Sequence, residues 1–215
     1  MAEEIPTVFL FLTVRARKSG RVVEILSESY EEIKEAAAVY SETDVIARLT
    51  APQDRLGVIL LELMQRSIAV GNQSHDIEDS FEIDAITPYL IDGTITRRKV
   101  EDGKDLKGDI YAYVLVHIDE KQEARSKVLE DLQQCEGIVY TAGLMRKARA
   151  IAKVRAPNKL AFDNNIMDQI QGIDGVATTR SLMIINNMHF IRSENPKLTE
   201  QSMHNVAAWA AKREK

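Results

Sequence analysis

The chain has 215 residues, of which 45% are hydrophobic and 28% are charged, and its formal net charge is −5 at pH 7. This globular composition excludes wholesale disorder and a collagen-like structure. At about 150 residues per domain, the length lies between one domain and two. Because phosphate binding needs clustered Lys and Arg, the acidic balance predicts no direct contact with nucleic acid.

The cysteine content and the N-terminal residues indicate the compartment. A single cysteine, Cys135, allows neither an intrachain disulfide nor a Cys-x-x-Cys metal site, which fits a reducing environment. Residues 1–4 are acidic on balance, whereas a signal peptide begins with basic residues. The apolar stretch Val8–Val14 is far shorter than a membrane span. We therefore expect a cytoplasmic protein with no membrane contact.

The first half of the chain alternates strand patterns with helix patterns. A short apolar run predicts a strand, and apolar residues at a period near 3.6 predict an amphipathic helix. In order, the predicted elements are a strand at Val8–Val14, a helix from Val22 through Ile33, strands at Ala36–Tyr40 and Val45–Thr50, a helix starting at Asp54, and a strand at Phe81–Ile86.

The second half repeats this order. Its predicted elements are a strand at Ile110–Ile118, a helix whose apolar stripe runs from Ala124 to Cys135, strands at Ile138–Leu144 and Ala148–Arg155, a helix at Lys159–Ile170, and a strand at Val176–Ile185. Val45–Pro52 aligns with Ala150–Pro157 without a gap. Pro52 and Pro157 each fall where a strand must end, since proline has no N–H for the sheet.

These patterns predict an α+β protein with two tandem repeats of the β-α-β-β-α-β ferredoxin-like arrangement. The first repeat spans 7–87 and the second 109–187. Residues 88–108 are predicted to be a linker with a short hairpin around Asp92 and Gly93. A C-terminal helix is predicted at 195–212, with Trp209 docked on one of the domains.

Two glycine-containing turns and one strand motif stand out in the second half. The turns are Gly137–Ile138 and Gly175–Val176, and the last strand contains Thr178–Arg180. Together, these features resemble the effector-binding, or ligand-binding, domain of the Lrp/AsnC family over residues 110–186, and more faintly over 7–86. Family members that regulate transcription carry an N-terminal helix-turn-helix. Because only six residues precede the first repeat here, we expect a chain without that DNA-binding domain.

The family's Gly-x-x-Asp hairpin has a counterpart in each half of the chain. It falls on Ser41–Asp44 in the first half and on Arg146–Arg149 in the second. Asp44 keeps the acidic position, whereas Arg149 reverses its charge.

Each predicted strand has two faces, because successive side chains point to opposite sides. One face is aliphatic and is predicted to pack on the helices; it holds Val8, Leu10, Leu12, Val14, Ala112, Val114, Val116 and Ile118. The other face is too aromatic to be left in water. We expect the two sheets to stack through this second face, within the chain or between chains, as Lrp-like domains do when they form a dimeric α/β barrel.

The stacked interior is predicted to bind a small ligand. Its candidate ligand-binding residues are Arg15, Asp44, Arg48, His117 and Lys153. An apolar space with a few convergent charges is typical of such sites, and we hypothesise an anionic or amino-acid-like metabolite. The alternative is that these charges lie at strand ends or pair across the sheets.

The chain lacks the short motifs of common catalysts and cofactor sites, so we predict no catalytic residue, no metal and no cofactor. Cys135 is predicted to be a core residue, and His75–Asp79 a solvated loop. The resulting prediction is a ligand-binding or regulatory module that forms homo-oligomers through sheet faces or edges. One alternative is an enzyme of monooxygenase-like or haem-associated type, with His117 or His189 as the residues to test. The other is a structural oligomerisation partner of a DNA-binding paralogue.

Overall fold

The computed structural model describes residues 5–14, 18–69, 83–97, 110–119, 122–145, 149–193 and 196–213. The chain divides into two compact units. Unit 1 comprises Met1–Leu90 together with Ile185–Lys215, and unit 2 comprises Ile91–Ile184.

The fold is mixed α+β, as the sequence predicts. In chain order its elements are β1 (Thr7–Val14), α1 (Ser19–Ser29), β2 (Ile33–Tyr40), β3 (Val45–Thr50), α2 (Gln53–Ala69), β4 (Ile83–Arg97), β5 (Ile110–Ile118), α3 (Gln122–Gln134), β6 (Ile138–Leu144), β7 (Arg149–Ala156), α4 (Lys159–Ala161), a π-helical segment (Phe162–Met167), α5 (Asp168–Gln171), β8 (Val176–Ile191) and α6 (Pro196–Arg213).

Each unit contains a sheet with the same strand arrangement. In unit 1 the order is β4-β1-β3-β2-β8, and β1 is antiparallel to both β3 and β4. In unit 2 the order is β8-β5-β7-β6-β4, and β5 is antiparallel to both β7 and β8. The strands β4 and β8 are long, and each contributes residues to both units.

The length of β4 differs from the prediction. Residues 88–97 belong to this strand, although the sequence predicts a linker with a hairpin at Asp92 and Gly93. Pro88 pairs opposite Leu10 on β1, whereas the described pairs between β4 and β6 run from Ile91 to Arg97, past the proline that has no N–H to donate. In place of the predicted hairpin, the pairing of β4 with β6 has a register irregularity between Asp92 and Thr96. The rest of the predicted linker, together with Phe81, lies outside the described residues.

The first helix is shorter than predicted. It ends at Ser29, and Ile33 begins β2. Tyr30 has an extended backbone, with φ −132° and ψ 108°, and so cannot continue the helix. Arg192 donates to the carbonyl oxygens of Ser27 at 2.8 Å and Tyr30 at 3.4 Å, which satisfies acceptors that another helical turn would have used.

The helix-facing sides of the sheets form two hydrophobic cores, as predicted. In unit 1 the aliphatic face of β1 packs with residues of α1, α2 and α6, including Leu26, Leu63 and Val206. In unit 2 the corresponding face of β5 packs with Val128 and Ile166. Trp209 packs against the core of unit 1, so its predicted docking is confirmed.

Candidate functional site

The predicted site residues belong to the sheet faces that turn away from these cores. We call these surfaces the second face of unit 1 and the second face of unit 2. On β1 the alternation with the core residues places Phe9 and Phe11 on the second face, and both are buried. Phe11 and Tyr89 form an edge-to-face pair with ring centroids 5.0 Å apart. The second face of unit 1 is therefore partly aromatic, as the sequence predicts.

Arg48 belongs to a buried polar cluster on the second face of unit 1. It pairs with Glu35 across the β2–β3 ladder, and its Nε lies 3.7 Å from Oε2 of that carboxylate. The other oxygen, Oε1, is 2.8 Å from Nε2 of His189 on β8. The side chains of Glu35, Arg48 and His189 are 1%, 8% and 13% exposed. A buried carboxylate needs charged or hydrogen-bonding partners, and here Arg48 and His189 supply them to the two oxygens of Glu35.

Asp44 binds the backbone at the turn between β2 and β3. Its Oδ2 accepts the N–H of Val14 at 2.8 Å, and its own N–H donates to the carbonyl of Leu12 at 2.9 Å. Its carbonyl accepts the N–H of Val39, also at 2.9 Å. Asp44 therefore lies at a strand end and joins β1 to the turn, which agrees with the alternative that the sequence left open.

Lys153 lies in an aromatic frame on the second face of unit 2. Only 3% of the residue is exposed. Its Nζ is 5.5 Å from the ring centroid of Tyr111 and 5.9 Å from that of Tyr140. Tyr113, which is fully buried, lies opposite Lys153 on β5. Because the face of an aromatic ring attracts a cation, the two rings support a buried positive charge.

His117 is on the same face but further along β5. It is half-buried and lies opposite Arg149 on β7 and Thr178 on β8. His117 lies four positions after Tyr113, the residue opposite Lys153, so the two ladder positions are about 13 Å apart. The structure therefore does not bring His117 and Lys153 side by side. The fifth predicted residue, Arg15, lies outside the described residues.

The sequence pattern does not predict two partners of these residues, Glu35 and Tyr140. Glu35 falls between the predicted helix and the predicted start of β2, and a register irregularity between Ile33 and Glu35 interrupts the alternation that would have placed it. Tyr140 has a similar irregularity before it in β6, between Ile138 and Tyr140. The sequence points to His189 only for the enzyme alternative.

The remaining sequence predictions concern Cys135, the His75–Asp79 loop, metal binding and membrane contact. Cys135 is buried in the core of unit 2, as predicted. His75–Asp79 lies outside the described residues. Within the described ranges, no group of three or more His, Cys, Asp or Glu side chains could hold a metal ion. Among the helices that the structure describes, none is long and apolar enough to cross a membrane.

Comparison with known families identifies one domain. Residues 111–191 match the model of the Lrp/AsnC ligand binding domain, which confirms the resemblance inferred from the glycine turns. The match runs from β5 to the end of β8. No curated protein matches the chain.

Solved structures share the fold at low sequence identity. An anthrone oxidase-like protein is 14% identical with a TM-score of 0.53, covering 90% of this chain and 95% of its own. The siroheme decarboxylase NirDL in complex with an iron-uroporphyrin III analogue is 9% identical with a TM-score of 0.51, covering 94% and 79%. At these identities the likeness concerns the fold alone.

Proposed function

We propose, from the Lrp/AsnC ligand binding domain at residues 111–191, that this chain is a regulatory module that binds a small anionic or amino-acid-like metabolite. The observation that carries the proposal is the buried ammonium group of Lys153 between two tyrosine rings. Burying a cation is costly unless anionic or aromatic groups meet it. A ligand carboxylate beside Lys153 would stabilise this charge further. Arg15, Asp44, Arg48 and His117 stay predictions from the sequence; Asp44 and Arg48 contact the N–H of Val14 and the carboxylate of Glu35, respectively.

We also infer that the two halves of the chain are copies of one ferredoxin-like unit. The support is the strand order. In each half of the chain, the four strands lie side by side in the sheet in the order fourth, first, third, second. Stacking of the second faces as a dimeric α/β barrel, within the chain or between chains, is part of this proposal. Homo-oligomerisation through sheet faces or edges is a further part of it.

A thermal-shift screen with Lys153→Met tests the ligand proposal. Amino acids and small carboxylates are the probes, and the unliganded melting curve of each variant establishes that it folds. A ligand at a hundred times its Kd stabilises the native state by about 2.7 kcal/mol, which is a shift of several degrees. We expect a probe to shift wild type and Lys153→Arg but not Lys153→Met.

Lys127→Met is the matched control, because the side chain of Lys127 is 63% exposed in the same unit. It should respond to the probe as wild type does. The proposal would be rejected if no probe shifted wild type, or if Lys153→Met responded like Lys127→Met.

A second candidate is an enzyme of monooxygenase-like or haem-associated type. The observation in its favour is His189, whose imidazole is hydrogen-bonded to the buried Glu35. A carboxylate partner fixes the tautomer of a histidine and raises its basicity, as in many catalytic and metal-ligating histidines. A haem would supply redox chemistry at iron. Because Nε2 of His189 faces Glu35, the iron would have to bind through Nδ1 or replace that contact.

Titration with iron protoporphyrin tests this candidate. Binding through His189 should produce a shifted Soret band in wild type and in His204→Ala, whose histidine is exposed on α6, but not in His189→Ala. The candidate is rejected if wild type gives no shifted band, or if His189→Ala gives the same band.

A further inference from the structure

We infer that the second face of unit 2 binds a small polyanion, a ligand with two or more negative charges, at Arg149, His117 and Arg180. Phosphorylated metabolites and polycarboxylates share this chemistry. The inference rests on the proposed function, because it narrows the class of ligand for the same face.

The three basic residues are adjacent on neighbouring strands. Arg149 on β7 lies directly opposite His117 on β5. Arg180 on β8 pairs with Leu115, two residues before His117, and is therefore the diagonal neighbour of His117. Opposite Cα atoms in such a ladder are about 5 Å apart and diagonal neighbours about 7–8 Å apart. One small ligand can therefore reach all three side chains.

The packing of their neighbours places these residues on the second face. Val116 and Ala150 belong to the core of unit 2, so His117 and Arg149 point the other way. On β8 the hydroxyl of Ser181 contacts Met167 on the helix side, which turns Arg180 to the second face. Arg149 and His117 are half-buried and Arg180 is exposed, so solvent reaches the cluster.

At the corresponding position of unit 1, an aspartate makes a backbone hydrogen bond that Arg149 cannot make. Alignment of Val45–Pro52 with Ala150–Pro157 places Asp44 at the position of Arg149. The carboxylate of Asp44 accepts the N–H of Val14. An arginine side chain only donates hydrogen bonds and cannot make this contact. Its forked guanidinium instead matches a carboxylate or phosphate group.

The charge composition of these strands favours a ligand with more than one negative charge. β5, β7 and residues 176–184 of β8 contain no Asp or Glu, although the whole chain has a net charge of −5. The same strands contain Arg149, Lys153, Arg155 and Arg180. Clustered cations in a partly buried setting attract a multiply charged anion more strongly than a single charge.

Calorimetric titration of the full chain tests the inference. The probes are inorganic pyrophosphate and citrate, with acetate and glycine for comparison at equal ionic strength. The variants are Arg149→Gln and Arg180→Gln, and their melting midpoints show that they fold. We expect both polyanions to bind wild type, with Kd raised about tenfold or more in each variant because a charge-assisted pair is lost. Acetate and glycine should bind at least tenfold more weakly than the polyanions.

Arg155→Gln is the matched control, since Arg155 is on the same strand and also half-buried but lies opposite Tyr111 at the far end of the ladder. Its Kd should stay within twofold of wild type. An equal loss in Arg155→Gln would mean diffuse attraction and would overturn the inference, as would polyanion binding that neither Arg149→Gln nor Arg180→Gln weakens.

The outcomes also separate this inference from the proposed function. Binding of glycine or acetate that depends on Lys153, without polyanion binding, would overturn the inference and leave the proposed function standing. If no polyanion, amino acid or carboxylate binds, both fail. Tight binding of single-stranded nucleic acid that depends on Arg149 and Arg180, without binding of either small polyanion, would also overturn the inference.

Discussion

Asp44 joins three backbone segments at the end of the unit 1 sheet. Replacing it with alanine removes the acceptor that Oδ2 offers to the N–H of Val14. A partly buried donor left without its partner costs about 1–3 kcal/mol. We therefore expect Asp44→Ala to lower the free energy of unfolding by about 1–2 kcal/mol, measured by urea denaturation at pH 7.

Glu42→Ala is the control, because Glu42 is exposed in the same turn. A surface substitution of this kind changes stability by about 0.5 kcal/mol or less. Equal losses in the two variants would show that the turn, and not the contact with Val14, accounts for the effect.

The sequence predicts the sheet face on which Arg48 and Lys153 lie, but not the residues that these two side chains contact. Strand alternation is enough to place Arg48 and Lys153 on the second faces, because it depends only on neighbours in the chain. Their partners Glu35 and Tyr140 each follow a register irregularity, which shifts the alternation by one residue. Such a shift depends on how two strands pair, so the pattern along one strand does not contain it.

Among the helices, the contact between α1 and α6 is closely packed at Gly20. A Cβ atom at this position would lie 2.6 Å from Cζ3 of Trp209. Overpacking of this kind costs about 1–3 kcal/mol. We expect Gly20→Ala to lower the melting midpoint and to shift the tryptophan emission to the red, since Trp209 is the only tryptophan in the chain.

Gly57→Ala on α2 is the matched substitution, because no atom lies within 4 Å of a Cβ placed there. Alanine is favoured over glycine in an exposed helix by about 1 kcal/mol, so this variant should be slightly more stable and keep the wild-type emission. Unchanged emission in Gly20→Ala would contradict the packing of Trp209 against α1.

The ends of a strand were predictable where its own residues and the adjacent turn residues mark them. β3, β5 and β6 begin and end at the predicted residues, because each is a compact run rich in apolar residues beside turn residues. β4 continues through Pro88 and Gly93, which by themselves predict a turn. Its second half exists because it pairs with β6, and pairing between distant segments is not visible in a local pattern.

At the scale of the whole molecule, unit 1 is assembled from two separate stretches of chain. Met188 and Phe190 of β8 and Val206 of α6 are all buried in its core, although residues 91–184 separate them from the rest of the unit. Burying one such side chain stabilises the native state by about 1.5–3 kcal/mol, and a domain is stable by only about 5–15 kcal/mol. The predicted first repeat, 7–87, contains none of these three residues.

We therefore expect a fragment of residues 1–90 not to fold cooperatively by itself. Mixing it with a second fragment, 185–215, should restore a cooperative thermal transition by circular dichroism and move the Trp209 emission to the blue as that ring packs beside Gly20. The second fragment carrying Phe190→Ala should restore less, because Phe190 is fully buried in this core. If the 1–90 fragment melted cooperatively at the midpoint of the full chain, residues 185–215 would not be needed for the stability of unit 1. That result would contradict the expectation.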